Sequence, residues 1–459
     1  MNKLFYHNEI DTGIFRTLIR RVLLTLLNSA VQHHDYRLNS FHPLMKYNGT
    51  RKVKNVILLI GDGMGFPYTT GLRYFNHDSQ KGLMNPTIFD QYFVGSQSTY
   101  SLDRESNITD SAAAGTALST GYKTYNGALG LNIDKKAVPT ILEFAKFRGK
   151  STGLVGTSQI NHATLAAFAA HIESRELYDQ IADDYLDERI DGKHKIDVML
   201  GGGTSYFIRN DRNLIAEFVQ NHFGYVTNLQ ELVTNKNEQL LGLFAPIELP
   251  KRIDSAPTVP SLSQMTKAAL QRLKQNSKGF FLLVEGSQID WAGHDNDIVG
   301  AMSEVKDFEA AFKEAIQFAF NREDTIVVAT ADHSTGGMSI DRNGNYKWNP
   351  SVIKSISSTP SVIARRLHET KEMTTLKQQM PFPLHEEDLK SIQLTLEMEV
   401  EDTQQTLINI INHYSSTGWT TKGHTGEDVP IYAYGQNSHM FSGRMENSDI
   451  AKILFQIMD

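Results

Sequence analysis

Short, continuously apolar runs punctuate the chain, and helical patterns fill the spaces between them. Val53–Ile60 is the first strand it predicts; its second half, Val56–Ile60, has no polar position, as in a strand buried on both faces. Phe93–Tyr100, Lys150–Gly156, Ile196–Leu200, Phe280–Val284 and Thr325–Thr330 are further candidates, and Val429–Tyr434 is expected to be the last. Between them Ser111–Leu118, Val138–Arg148, Thr164–Arg175, Leu262–Gln275 and Ile298–Phe320 read as helices. Alternation of this kind predicts an α/β fold, a mainly parallel sheet with helices on both faces.

Two stretches depart from the alternation. Residues 1–50 carry no clear fold pattern. Within them Arg16, Arg20 and Arg21 precede Val22-Leu23-Leu24-Thr25-Leu26-Leu27 and then Asn28-Ser29-Ala30. That order resembles an export signal, although an amphipathic helix is the other reading; the apolar run is too short to span a bilayer. Residues 334–423 are polar and irregular in pattern, with Asn343-Gly344-Asn345 as an expected hairpin turn and a charged helix near Pro383–Glu399. The expected organisation is an N-terminal segment over 1–50 and one catalytic unit over 51–459 with an insertion at 334–423.

Composition narrows the chemistry. The 459 residues include no cysteine, which excludes disulfides, thiolate zinc sites and cysteine nucleophiles. A net charge of -7 does not favour nucleic acid as a stable partner, so an anionic substrate needs local positive charge from metal ions or arginine.

Ligand-type residues sit where the strands end. Asp62 follows the first strand among Gly61, Gly63 and Gly65; alone it is equally a turn aspartate. Glu285 closes an apolar run, where a carboxylate is costly unless paired or metal-bound. Asp290 and His294 are four apart, one helical turn, so a helix places both on one side. Asp332 and His333 again follow a buried strand directly, and His424 lies in a glycine-flanked loop. Carboxylates and imidazoles from several strand ends of a parallel sheet converge on one edge, as a multi-metal site requires.

Three further residue groups have double readings. Thr109-Asp110-Ser111 opens an Ala-rich helix; Ser111 is either half of an N-cap pair or a nucleophile at a helix N-terminus, where the dipole favours an anion. No Gly-x-Ser-x-Gly elbow surrounds it, which disfavours a general-base triad; a metal could activate the hydroxyl instead. His162 and Thr164 flank a helix start, and Arg175, expected about three turns along that helix, is either a solvated side chain or a grip on phosphate oxygens.

Taken in order, GDGMG, TDSAAAGTA, HATLAAFAAHIESR, EGSQIDWAGH, TADHSTGG and GHTGEDVP resemble the motifs of the alkaline phosphatases, from about Val53 to the C-terminus. The resemblance implies a three-layer α/β sandwich that hydrolyses phosphate monoesters through a phosphoserine at Ser111. It implies two zinc ions, one on Asp290, His294 and His424 and one on Asp62, Asp332, His333 and Ser111. It also implies a third metal on Asp62, Thr164 and Glu285, magnesium or another divalent ion, and Arg175 as the phosphate clamp. Two positions differ from the best-known enteric pattern: His162 stands in place of Asp, and Trp291, beside the substrate, in place of Lys. A periplasmic or secreted homodimer acting on small phosphomonoesters, with residues 334–423 as a crown near the dimer interface, completes what the resemblance implies. A phosphodiesterase or other hydrolase of the same superfamily, or an inactive metal-binding relative, is the alternative; a sulfatase would need the cysteine the chain lacks.

Overall fold

The strands that carry the expected ligands form the centre of one ten-stranded sheet. The computed structural model describes residues 51–77, 82–342, 344 and 346–458, so the export-signal reading of 1–50 lies outside the described residues. In chain order the strands are β1 (Asn55–Gly61), β2 (Phe93–Ser98), β3 (Ser151–Gln159), β4 (Val198–Gly202), β5 (Gly224–Val226), β6 (Leu240–Leu243), β7 (Phe280–Gly286), β8 (Thr325–Thr330), β9 (Val429–Gly435) and β10 (Gly443–Glu446). Across the sheet the order is β10-β2-β9-β8-β1-β7-β3-β4-β6-β5. Only β9 runs against its neighbours.

The main helices are α1 (Phe66–Asn76), α2 (Ser111–Thr120), α3 (Ile141–Phe147), α4 (Leu262–Leu273), α5 (Gln288–Asp295), α6 (Ile298–Ala319), α7 (Val400–Ser415) and α8 (Asn447–Ile457). Alternate strand residues feed opposite faces of the sheet. Ile57 and Leu59 of β1, Leu282 and Val284 of β7 and Val327 of β8 pack with α1, α4, α5, α6 and α7. Val56, Leu58 and Ile60, Phe281 and Leu283, and Ile326 and Val328 pack with α2, α3 and α8 on the other face. The three layers follow from central strands that are apolar throughout.

Several expectations need correction. Val429–Tyr434 is not the last strand: Gly443–Glu446 pairs with β2 at the sheet edge, and its polar, half-exposed sequence has no apolar signature. The short β5 and β6 extend the opposite edge. Thr164–Arg175 is not a helix; only Ala163–Ala166 is helical. The carbonyls beyond it are taken by neighbouring side chains: Ala167 O by Ser119 Oγ at 2.6 Å, Phe168 O by Thr140 Oγ1 at 2.6 Å and Ala169 O by Lys195 Nζ. Ile172 then bridges to Leu129, so Arg175 arrives on a turn.

The insertion is helical, not irregular. Pro350–Ser355, Pro360–Thr370 and Met373–Gln379 were not expected, whereas Glu386–Thr395 is the charged helix expected near Pro383–Glu399; all four precede α7, each with a narrow apolar stripe that reaches the core. Asn343 and Asn345 of the expected hairpin turn lie outside the described residues; the strand before them, Ser339–Ile340, pairs with Thr417–Gly418 at the base of the insertion.

Candidate metal centre and active site

Register places the site. Ile60 of β1 aligns with Thr330 of β8 and with Glu285 of β7, and Glu285 aligns with Gly156 of β3. β8, β1 and β7 therefore end within a residue of one another, β3 runs a few residues further to Gln159, and the residues at and just past these ends meet. Asp62, Glu285, Asp332 and His333 are all fully buried there. Gly63 has φ +68°, and a Cβ on it would lie 2.8 Å from Asp290 Oδ1; the close approach of this turn to Asp290 therefore requires glycine.

Three groups of ligand-type atoms, each within 4.8 Å of one another, gather among the described residues: Asp290, His294 and His424; Asp62, Asp290 and His333; and Asp62, His162 and Glu285. One turn of α5 puts His294 Nε2 3.3 Å from Asp290 Oδ2, and His424 Nε2 is 3.2 Å from His294 Nε2. His333 Nε2 is 3.4 Å from Asp62 Oδ1 and 3.2 Å from Asp332 Oδ2. Thr164, next to the third group in sequence, is also buried. Every ligand-type residue singled out in the sequence lies in or beside these groups, with Asp290 and Asp62 each shared by two of them.

Electrostatics show what this arrangement lacks. Burial pushes the Glu285 and Asp332 carboxyls up to about 7. Burial, then Asp332, Asp290 and Glu285, raises Asp62 well above the usual carboxylate range. Against the upward push of burial, the bond from His294, foremost, holds Asp290 well below it. The bond to Asp290 lifts His294 to about 9, while burial and then Arg175 lower His162 to about 3. Both oxygens of Asp62 and of Glu285, Oδ2 of Asp332, Oγ1 of Thr164 and Nδ1 of His162 are buried without a hydrogen-bond partner. Buried polar atoms are nearly always satisfied. Oxygen donors left open in this number, with imidazoles beside them, fit divalent cations and little else.

Ser111 is the first residue of α2 and is buried, with Oγ 3.2 Å from His333 Nε2. Burial, then His424, keeps the His333 imidazole neutral by holding it well below its ordinary value. Asp110 caps the helix by accepting from Ala113 N at 2.9 Å and also takes Gly127 N at 3.0 Å and Arg175 Nη1 at 3.1 Å. Arg175 Nη2 donates to His162 Nε2 at 3.1 Å, so the guanidinium is fixed beside Ser111 although it comes from a turn. Trp291 stands edge-on to His162, ring centroids 5.5 Å apart. Thr109 contributes through its carbonyl, 2.8 Å from His424 Nδ1.

Two residues escaped the sequence reading. Thr335 Oγ1 donates to Asp290 Oδ1 and lies 3.3 Å from His333 Nδ1, so one hydroxyl orients two ligands; its position two residues after His333 was the only signal. Asp110, read only as half of a cap, is also the anchor of Arg175.

A parallel sheet delivering open carboxylates and imidazoles to a serine at a helix N-terminus defines an α/β metal-dependent hydrolase. The alkaline phosphatase family model matches residues 53–459. Alkaline phosphatase 3 of Bacillus subtilis is 51% identical over 412 residues, 89% of this chain and 89% of that protein. The cold-active alkaline phosphatase of the psychrophile Shewanella sp. has TM-score 0.83 and 41% identity, over 88% of this chain and 100% of that one. A histidine-to-glutamate mutant of TAB5 alkaline phosphatase, solved with Mg bound in its M3 site, has TM-score 0.66 and 29% identity, over 89% of this chain and 99% of that one. The chain belongs to the alkaline phosphatase family, and its function is the metal-dependent hydrolysis of phosphate monoesters.

Proposed function

We propose that the chain hydrolyses small phosphomonoesters in two in-line displacements through a phosphoserine at Ser111, releasing first an alcohol and then inorganic phosphate. The observation that carries this reading is the buried Ser111 at the start of α2, facing His333 and flanked by an arginine anchored on the preceding residue. Asp290, His294 and His424 would hold one zinc, and Asp62, Asp332 and His333, with Ser111, a second. Asp62, Thr164 and Glu285, beside His162, would hold the third ion, magnesium or another divalent metal. Bound there, such ions supply Lewis acidity that eases loss of a hydroxyl proton and neutralises phosphate oxygens.

The chain's own groups do the rest. The N-terminal dipole of α2 favours negative charge at Ser111 Oγ. Oγ bonds to phosphorus as the bond to the alcohol oxygen breaks; water then attacks phosphorus, and Oγ leaves to regenerate the serine. Two inversions give net retention at phosphorus. Arg175, with Nη1 on Asp110 and Nη2 on His162, offers planar donors to the phosphate oxygens. The test compares a chromogenic monoester with its diester on metal-loaded protein; faster diester turnover would overturn the monoester reading.

His162 and Trp291 tune this site. A neutral imidazole is a softer ligand than a carboxylate, so the third group binds magnesium weakly. TAB5 mutants with glutamate or aspartate in place of a histidine carry Mg in the M3 site. His162→Asp is expected to raise magnesium retained after dialysis, and Trp291→Lys to lower the inhibition constant for inorganic phosphate roughly fivefold by adding one charge nearby. Unchanged phosphate inhibition in Trp291→Lys would contradict the role given to that position.

Residues 334–423 are read as the crown of a homodimer, and residues 1–50 as an export segment that makes the enzyme periplasmic or secreted, with 51–459 as the catalytic unit. No helix among the described residues is long and apolar enough to cross a membrane. Light scattering should give twice the 51.6 kDa chain mass, and a single-chain mass counts against the dimer.

A further inference from the structure

At the base of the insertion, one buried amide ties together segments that carry metal-ligand residues. Asn412 lies on the last turn of α7 and is only 4 % exposed. Its Nδ2 donates to Asn296 O at 2.9 Å, and its Oδ1 accepts from Trp419 Nε1 at 3.2 Å. Asn296 is the left-handed C-cap of α5, the helix of Asp290 and His294. With its own amide turned to donate, Asn296 also reaches Thr421 O at 2.9 Å. Trp419 belongs to the segment that leads from the insertion to His424, and that segment also accepts His294 Nδ1 on Lys422 O.

The indole is seated firmly. It stands edge-on to Tyr68, centroids 6.3 Å apart, and a Cβ on Gly336 (φ +78°) would lie 2.6 Å from the ring. Gly336 follows Thr335, the residue that orients Asp290 and His333, and Gly336 N donates to Gly423 O at 2.9 Å, next to His424. The helix bearing Asp290 and His294, the loop bearing His424 and the turn after His333 therefore meet around one Asn–Trp pair.

We propose that Asn412 is a positioning residue through which the helical insertion sets the geometry of the metal group formed by Asp290, His294 and His424. The proposal rests on the reading that these three residues hold an ion. Asn is suited to the task because it uses a donor and an acceptor at once; aspartate would lose the bond to Asn296 O, and leucine both bonds. Partners that orient metal ligands typically govern affinity by 10–100-fold.

The test loads the full chain with zinc and follows zinc release to a chromophoric chelator, together with the zinc count per chain and the melting temperature of the zinc-free protein. Asn412→Ala is expected to release one ion about tenfold faster or more than the parent, with the other ions unaffected. Trp419→Phe keeps an aromatic ring at this position but removes the Nε1 donor together with part of the indole, so it is read beside the zinc-free melting temperature; it is expected to shift release in the same direction, less strongly, and it decides the matter if Asn412→Ala does not fold. His424→Ala should lack one ion outright. An unchanged zinc count in His424→Ala overturns the reading of the site and the inference with it. A lost ion there, with parental release rates in the Asn412 and Trp419 variants, overturns the inference alone. A lower zinc-free melting temperature with unchanged release marks a purely structural role and also overturns it.

Discussion

Ser111→Ala is expected to fold, to keep most of its bound metal and to lose turnover of a phosphomonoester by about 10⁴-fold or more, the scale seen when a covalent nucleophile is removed. Few other hydroxyls are near enough to substitute. Thr109 Oγ1 is engaged with Asp110 O at 2.9 Å, and Thr164 Oγ1 is buried among the residues of the third group. His333 lies 3.2 Å from Ser111 Oγ, but its ring belongs to the ligand groups and is not free to act as a nucleophile. What remains in the variant is direct attack by water on a substrate still gripped by Arg175. The second readout is chemical: acid quenching of the parent during turnover of labelled substrate should leave phosphate on Ser111, and the variant should carry none. Equal rates for parent and variant would refute covalent catalysis by this serine.

How far this site could be read from the chain depended on how each residue reaches it. Asp62, Glu285, Asp332 and His333 follow or close apolar runs that can only be buried strands, so a carboxylate there already demanded a partner. Asp290 and His294 needed only one helical turn. Arg175 was expected on a helix because its segment is rich in alanine, a strong helix former. Tertiary contacts overrode that preference: Ser119, Thr140 and Lys195 take the carbonyls that would have continued the helix. Apart from the charged helix at Glu386–Thr395, the insertion was opaque for a different reason. Its helices bury single narrow stripes and leave the rest polar, so composition dominates the eye, and the Asn412–Asn296 contact joins positions 116 residues apart, which no local pattern encodes. Residues 443–446 escaped because an edge strand of four half-exposed residues needs no apolar signature.

Removing the metals is expected to make stability depend on pH in a window that follows from the buried groups. Glu285 and Asp332, raised to about 7 by burial, stabilise the metal-free fold while protonated, and that contribution is lost as pH rises through about 7. His294, raised to about 9 chiefly by Asp290, contributes below its ordinary value of 6.5 and loses that contribution as pH climbs through 9. His162 and His333 act in the opposite sense, since their depressed values make the fold gain stability as pH rises toward 6.5, and they are spent above it. Asp290, held low, matters only in acid. Glu285 and Asp332 complete their loss near pH 7, so from there to pH 9 the further decline of the chelated protein is carried chiefly by His294. Metal ions reverse the cause: ligation requires these carboxylates and imidazoles in their deprotonated forms, so binding strengthens over the same window. The gap between the melting temperatures of the metal-loaded and chelated proteins should accordingly widen from pH 6.5 to 9, reaching on the order of 10 °C or more. Differential scanning calorimetry of the two forms at both pH values measures it. A gap that stays constant would mean that Asp290 does not hold His294 protonated in the metal-free fold, so that ligation gains nothing from its deprotonation over this range.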